Sequence, residues 1–327
     1  MTLNLDNRAN DSAPWSRRRL LQSGLGWGLV ASLPPGSAAA QPTAGKADEA
    51  AGYIDAHSHV WTPDTARFPL AAGFRLDEMQ PPSFTPQELM AHARPLGVGR
   101  AVLIQMSFYG FDNSYLLAAI AASPGAYSGV AVIDDAAARP ADEMRRLKKL
   151  GVRGFRIYPR TNPVDKWLDH DGLTAMWRAG AADRLAMCHL VNPSALPSID
   201  RMCERFPDTP VVVDHLARIG VDGQIRDDDV AALCRLARHK HTCVKVSAFY
   251  ALGKRQAPYL DLAPLVRRVY DAFGPQRLMW ASDCPFQVQG GHTYRDSLAL
   301  VAERLDFLSN ADRQWLLGRT AQAVFFS

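Results

Sequence analysis

Four histidines and one aspartate carry most of the chemistry this chain can offer. His57 and His59 stand two apart in Ile54-Asp55-Ala56-His57-Ser58-His59. Side chains two apart on an extended strand project the same way, so both imidazoles can grip one ion. His189 closes Leu185-Ala186-Met187-Cys188-His189, and His215 closes Val211-Val212-Val213-Asp214-His215. Asp283 follows Leu278-Met279-Trp280-Ala281-Ser282. Taking Met187, Val213 and Ala281 as inward-facing, the same parity turns His189, His215 and Asp283 inward too. A single polar residue at a strand end is commonly just a satisfied group. Five of them at four strand ends point to a common ligand. Imidazole with carboxylate suits one divalent ion, with zinc first and manganese or iron as alternatives.

Bringing those residues to one rim needs a repeating scaffold. From residue 51 onward, apolar runs alternate with helical stretches. The strands are expected at 52–57, 100–105, 127–133, 152–158, 185–190, 210–215, 242–247 and 277–282. Pro140 and Pro264 suit first helical turns, while Gly151 and Gly274 suit helix ends. Near-continuous apolar strands such as Pro210-Val211-Val212-Val213 belong in a parallel sheet covered on both faces. Eight such units predict an α/β fold, a single (β/α)8 barrel over 51–327, with an open doubly wound sheet as the alternative. In a barrel the active site is built from the C-terminal strand ends, where these polar residues fall. The segment from Trp61 to Pro86 is expected to be a loop over the mouth.

Composition narrows the class. Of 327 residues, 47% are hydrophobic and 21% charged, which excludes a disordered or collagen-like chain. A formal charge of +4 gives no basis for a nucleic-acid partner. The five cysteines include no Cys-x-x-Cys pair and make no disulfide framework. No GxSxG elbow, HExxH helix or phosphate loop is present.

Several stretches carry a family resemblance: Tyr53-Ile-Asp-Ala-His-Ser-His-Val-Trp61, Gly151-Val-Arg-Gly-Phe-Arg156, Val211-Val-Val-Asp-His-Leu-Ala-Arg218, Val244-Lys-Val-Ser-Ala-Phe-Tyr250 and Leu278-Met-Trp-Ala-Ser-Asp-Cys-Pro285. In this order they resemble the motifs of the amidohydrolase superfamily, most closely its lactonase and dicarboxylate-lactone hydrolase branch. The resemblance implies His57, His59 and Asp283 as metal ligands, with Asp283 also the general base. It implies His215 at the reacting carbonyl, and His189 as a further ligand, as in related decarboxylases. Some members of the branch work without metal. Strand four ends without the bridging lysine or glutamate of two-metal members, so one ion is the expected maximum. Ala248 stands where glycine is usual, and Cys284 where an aromatic residue is common.

Substrate-facing residues follow from strand parity. Arg156 and Tyr158 share one side of strand four. Arg156 either pairs with a substrate carboxylate or with a barrel acid. Lys245 either lines the mouth or forms a structural ion pair. Tyr250 and Arg218 are further candidates for substrate contact. The expected reaction is metal-assisted hydrolysis of a lactone of a sugar or aromatic acid. Non-oxidative decarboxylation of an aromatic or dienoic acid, and a catalytically degenerate small-acid binder, are the alternatives.

Residues 1–40 carry a different signal. Ser16-Arg17-Arg18-Arg19-Leu20-Leu21 precedes an apolar run from Ser23 to Leu33 and an Ala38-Ala39-Ala40 site. This resembles a twin-arginine export signal, followed by a linker at 41–50. It implies the twin-arginine machinery as a partner and a periplasmic or secreted enzyme, with no stable membrane span after processing. The apolar run is too short to span a bilayer, which needs about 20 residues.

Overall fold

The computed structural model describes residues 52–157 and 164–327. The proposed signal and linker, and Tyr158, lie outside the described residues. Eight strands are present: β1 (Tyr53–Ser58), β2 (Val98–Ile104), β3 (Tyr127–Ala131), β4 (Val152–Ile157), β5 (Ala186–His189), β6 (Val211–Val213), β7 (Thr242–Val246) and β8 (Leu278–Trp280). Each pairs in parallel with the next, in the order β1 to β8. All eight coincide with expected strands, and the fold is a (β/α)8 barrel.

A helix follows each strand: α1 (Pro86–Ala93), α2 (Ser114–Ala122), α3 (Pro140–Lys148), α4 (Asp171–Asp183), α5 (Leu196–Arg205), α6 (Asp227–Arg235), α7 (Ala263–Phe273) and α8 (Tyr294–Ala299). Two more, α9 (Asn310–Gln314) and α10 (Thr320–Phe325), complete the described residues. Local chemistry sets their ends. Thr85 and Glu88 cap the start of α1 reciprocally, and Pro86 occupies its first turn, where no amide donor is needed. Gly274 ends α7 at a φ of 71°, a conformation glycine takes without a Cβ clash.

Side-chain size separates the two faces of the sheet. Ile54, Ala56, Val102, Ile104, Val130, Ala186, Cys188, Val212, Met279 and Ala281 form one buried cluster, the barrel interior. Phe155, Met187, Val211, Val213 and Trp280 belong to the larger core between strands and helices. The interior face is thus built mainly from small and branched residues. Its floor is filled from α10 by Phe325, a member of the interior cluster. The Lys245 ammonium lies 5.3 Å from the centre of the Phe325 ring.

The β1–β8 seam is closed by few backbone contacts: His59 N–H to the Cys284 carbonyl at 2.7 Å and Asp283 N–H to the His57 carbonyl at 2.8 Å. Asp55 reinforces that seam. Its buried carboxylate accepts from Ser282 N–H at 2.9 Å, Ser282 Oγ at 2.5 Å, Ser58 Oγ at 2.7 Å and Tyr294 OH at 2.8 Å. Burial raises the Asp55 pKa, and these donors oppose the rise.

Over the mouth, the segment after β1 is pinned rather than loose. Trp61 and Phe84 exchange backbone hydrogen bonds at 2.8 and 3.1 Å, and Trp61 Nε1 donates to the Pro81 carbonyl at 2.8 Å. Trp61 packs on Phe108 and Phe286, and Phe286 lies edge-on to His59 with ring centres 5.8 Å apart.

Candidate active site

β1 delivers His57 and His59 to the mouth with their Nε2 atoms 3.3 Å apart. His59 Nδ1 lies 3.0 Å from the Ile104 carbonyl, which can only accept. That nitrogen therefore carries the proton, and the Nε2 lone pair faces the centre. Asp283 Oδ1 lies 3.5 Å from His57 Nε2 and 3.4 Å from His59 Nε2. Ligand atoms of His57, His59 and Asp283 all lie within 4.8 Å of one another, the one such group found among the described residues. Two imidazoles and a carboxylate converging on one point fit a single divalent ion.

Beneath His57 is a buried charge layer. Lys245 Nζ lies 3.0 Å from Asp214 Oδ1 and 3.1 Å from His57 Nδ1, and all three side chains are fully buried. The Lys245–Asp214 contact is an ion pair rather than a directed hydrogen bond. His57 Nδ1 is also 3.4 Å from Asp214 Oδ1. An ammonium has only protons to give, so Lys245 donates to His57 Nδ1 in this arrangement; holding a cation at Nε2 requires the His57 proton on Nδ1, where the Asp214 carboxylate is the nearby acceptor. Burial works against the Asp214 charge, but Lys245 and His57 outweigh it and hold the pKa well below the carboxylate range. Burial, aided by the Lys245 charge, lowers the His57 pKa well below that of a free imidazole.

His215 reaches the site through an unusual backbone. Val213 points outward, so continued parity would carry His215 out with it. Instead His215, Leu216, Ala217 and Arg218 take φ values of 53°, 52°, 54° and 58°. The left-handed conformation costs roughly 1–2 kcal/mol for each such residue. The turn places the His215 ring centre 4.4 Å from that of His57 and its Nε2 3.8 Å from Asp283 Oδ2. Its Nδ1 is 2.8 Å from Ser247 Oγ. Ala248 and Asp283 are left-handed too, with φ of 58° and 62°. Strained residues thus follow β6, β7 and β8 where the site is built.

Asp283 holds its charge firmly. Burial opposes ionisation, but the imidazoles of His215, His59 and His57 outweigh it and keep its pKa below the carboxylate range. Its two oxygens are divided: Oδ1 faces the His57–His59 pair, while Oδ2 accepts from Tyr250 OH at 2.7 Å.

The structure corrects the reading of His189. Cys188, not Met187, faces the interior, so His189 points outward toward α4. Its ring is fully buried against Trp167 and Trp177, with centres 5.5 and 5.6 Å away. Neither ring nitrogen has a hydrogen-bond partner among the described residues, and burial pushes the pKa down to about 3. His189 does not join the ligand group.

Other expectations divide. Arg156 shares the inward parity of Gly154, whose missing Cβ would sit 3.1 Å from Cys188 Sγ. It is half-buried, its charge acts on His215, and its Nε is buried with no hydrogen-bond partner among the described residues. Lys245 is too deep to meet substrate and forms the ion pair that was its other reading. Tyr250 does reach the site, but its hydroxyl is on Asp283. Asp214 and Asp55 were not anticipated. For Asp214 the signal was available: Cys243 and Lys245 share one parity, and the lysine needs a buried counter-charge on the neighbouring strand.

Comparison with known proteins agrees with this geometry. The amidohydrolase family model matches residues 54–326, and the chain belongs to that family. Its curated relatives are lactone hydrolases, and the chain is a hydrolase of that kind. Among curated relatives it is 29% identical over 248 residues to an L-fucono-1,5-lactonase of Burkholderia ambifaria, covering 73% of this chain and 82% of that one. It is 30% identical over 260 residues to a 2-pyrone-4,6-dicarboxylate hydrolase of Comamonas testosteroni, covering 76% and 81%. A solved amidohydrolase of Burkholderia multivorans with bound zinc superposes with a TM-score of 0.70 at 26% identity, covering 84% and 99%.

Proposed function

We propose that this protein hydrolyses a lactone or related cyclic ester of a sugar or aromatic acid, assisted by one divalent ion held by His57, His59 and Asp283. The observation that carries this reading is the convergence of those three ligand atoms, with the second Asp283 oxygen turned toward His215. The named relatives, both lactone hydrolases, support the substrate class. When bound, the ion supplies Lewis acidity to the ester carbonyl and the attacking water. Asp283 Oδ2 accepts the proton of that water. With Ser247 donating to His215 Nδ1, the His215 Nε2–H faces the centre and donates to the developing oxyanion. Arg156 binds a carboxylate of the substrate at the mouth.

Nothing in the geometry favours decarboxylation, since His189, the residue shared with the related decarboxylases, is outside the ligand group. The intact His57–His59–Asp283 group speaks against a degenerate binder. Zinc is the ion we infer first, and the zinc-bound Burkholderia multivorans structure supports it. We also infer that residues 1–40 direct export by the twin-arginine route to the periplasm or beyond, which fractionation of the processed chain checks.

The deciding experiment combines elemental analysis of the purified protein with turnover of a lactone panel spanning aldonic, pyrone-carboxylate and neutral rings. Stoichiometric metal and preference for carboxylate-bearing lactones are expected. Release of CO₂ without ester cleavage would overturn the reading.

The pH profile gives a second check. Burial lowers the pKa of His57 from the ordinary imidazole value of 6.5, and its Nε2 must be free of a proton to hold the ion. Activity is therefore full above that value and lost only as pH falls through the lowered one. The acid limb of kcat/KM should lie below pH 6.5. A limb at or above 6.5 would contradict a neutral buried His57.

A further inference from the structure

We propose that the Tyr250 phenol carries the proton from Asp283 to the departing oxygen of the ring ester; this rests on the lactone-hydrolase reading. Ester hydrolysis has two proton demands in different places. The attacking water loses a proton on one side of the carbonyl carbon, and the leaving oxygen gains one where the ring bond breaks. A carboxylate can serve both only if it moves.

Asp283 is held still. Its N–H donates to the His57 carbonyl at 2.8 Å, and its own carbonyl accepts from Phe286 N–H at 3.1 Å. Oδ1 is committed to the His57–His59 side. Oδ2 already has a donor, the Tyr250 hydroxyl at 2.7 Å. A carboxylate only accepts, so the phenol is the donor of that bond. The base and a transferable proton are therefore in contact before substrate arrives.

Tyr250 is well placed for the second role. It sits in the short turn Phe249–Ala251 after β7, buried at the mouth, with its ring stacked on Phe286 at 6.4 Å and near His292 at 6.2 Å. Burial and the neighbouring Asp283 charge hold the phenol pKa well above its ordinary value, with the Arg218 charge opposing them, so the hydroxyl keeps its proton until it is replaced from Asp283. Lys245 is engaged with Asp214 beneath His57, His215 Nδ1 is engaged with Ser247, and Arg156 is the group assigned to a substrate carboxylate.

The step balances without a further reactant. Water forms the new C–O bond and gives its proton to Asp283 Oδ2. The ring C–O bond breaks, and its electron pair goes to the leaving oxygen. The phenol O–H proton passes to that oxygen as the phenol oxygen takes the proton from Asp283. Water has been added across the ester, and both side chains end as they began.

The test compares wild type and Tyr250→Phe, both metal-loaded, on lactones whose leaving oxygens run from enol or aryl, which depart unaided, to alkyl, which need a proton. The variant should lose less than about 3-fold with the most acidic leaving groups and about 10²–10³-fold with alkyl ones. Metal content and melting temperature should match wild type. A uniform loss across the series, or none, overturns the carrier while leaving the lactone-hydrolase reading intact. No turnover of any lactone by wild type overturns both. A proton inventory on wild type with an alkyl lactone needs no variant. Two protons in flight bow the rate against deuterium fraction, whereas a straight line overturns the carrier.

Discussion

Replacing Asp283 with asparagine lowers kcat/KM on a cleavable lactone by about 10²–10⁴-fold, the usual contribution of a general base. Asparagine keeps the shape and still accepts the Tyr250 hydrogen bond, but it cannot take a proton from water. The backbone contacts of residue 283 with His57 and Phe286 involve no side chain and persist. A melting temperature close to wild type should therefore accompany the loss. Metal content is measured alongside, because the substitution also weakens a ligand. An Asp283→Asn enzyme that retains metal and full activity removes this residue from the proton-accepting role.

The second large effect is on stability. Lys245→Met removes the cation that faces Asp214 in a fully buried layer. Breaking a buried ion pair on one side costs about 3–5 kcal/mol, because the remaining charge keeps its desolvation penalty. At roughly 2–4 °C per kcal/mol for domains of 150–250 residues, the melting temperature should fall by about 6–20 °C. Methionine fills much of the lysine volume beside Phe325, so cavity formation contributes little. The decisive comparison is the double variant Asp214→Asn, Lys245→Met. It leaves no charge unpaired and should recover most of the lost stability. A double variant no more stable than the single would show that the ion pair is not the cause. The linkage has a definite sign. Because the Asp214 pKa is held below its unfolded value, its contribution is present above that value and is lost as pH falls through the lowered one.

The barrel was legible in the sequence because each strand is a short apolar run followed by a helical stretch, a rhythm with few other solutions. Asp283 was legible because it follows the interior-facing Ala281 two positions on, just past β8. His57 and His59 were legible as a pair two apart at the end of β1, although Ile54 and Ala56 face the interior and it is the register shift between Asp55 and Ser58 that brings the pair to the same rim. His189 failed on parity alone. The run Val211-Val212-Val213 offers no polarity contrast, and Met187 looked as fit for the interior as Cys188. What decides is volume: Ala186, Cys188 and Gly154 face an interior that also receives Phe325 from α10, and Phe155, Met187 and Trp280 face the helices. His215 was placed correctly for a reason parity does not contain, the left-handed turn after β6. Tyr250 was recognised as a residue of the mouth, but its contact with Asp283 depends on how the turn after β7 folds back, which spacing alone does not encode.

The Asp55 clasp has a consequence for how the molecule is made. It joins Ser58 and Asp55 on the first strand to Ser282, 227 positions after Asp55, just beyond the last strand. The ligand set is split the same way, with both imidazoles of the pair emerging early and their carboxylate late. A nascent or truncated polypeptide that stops short of β8 has the two histidines but no acid to complete the trio, and nothing to fasten its open flank. Cation retention should therefore report whether synthesis ran past Asp283, making uptake of the ion an assay of ring completion independent of any substrate.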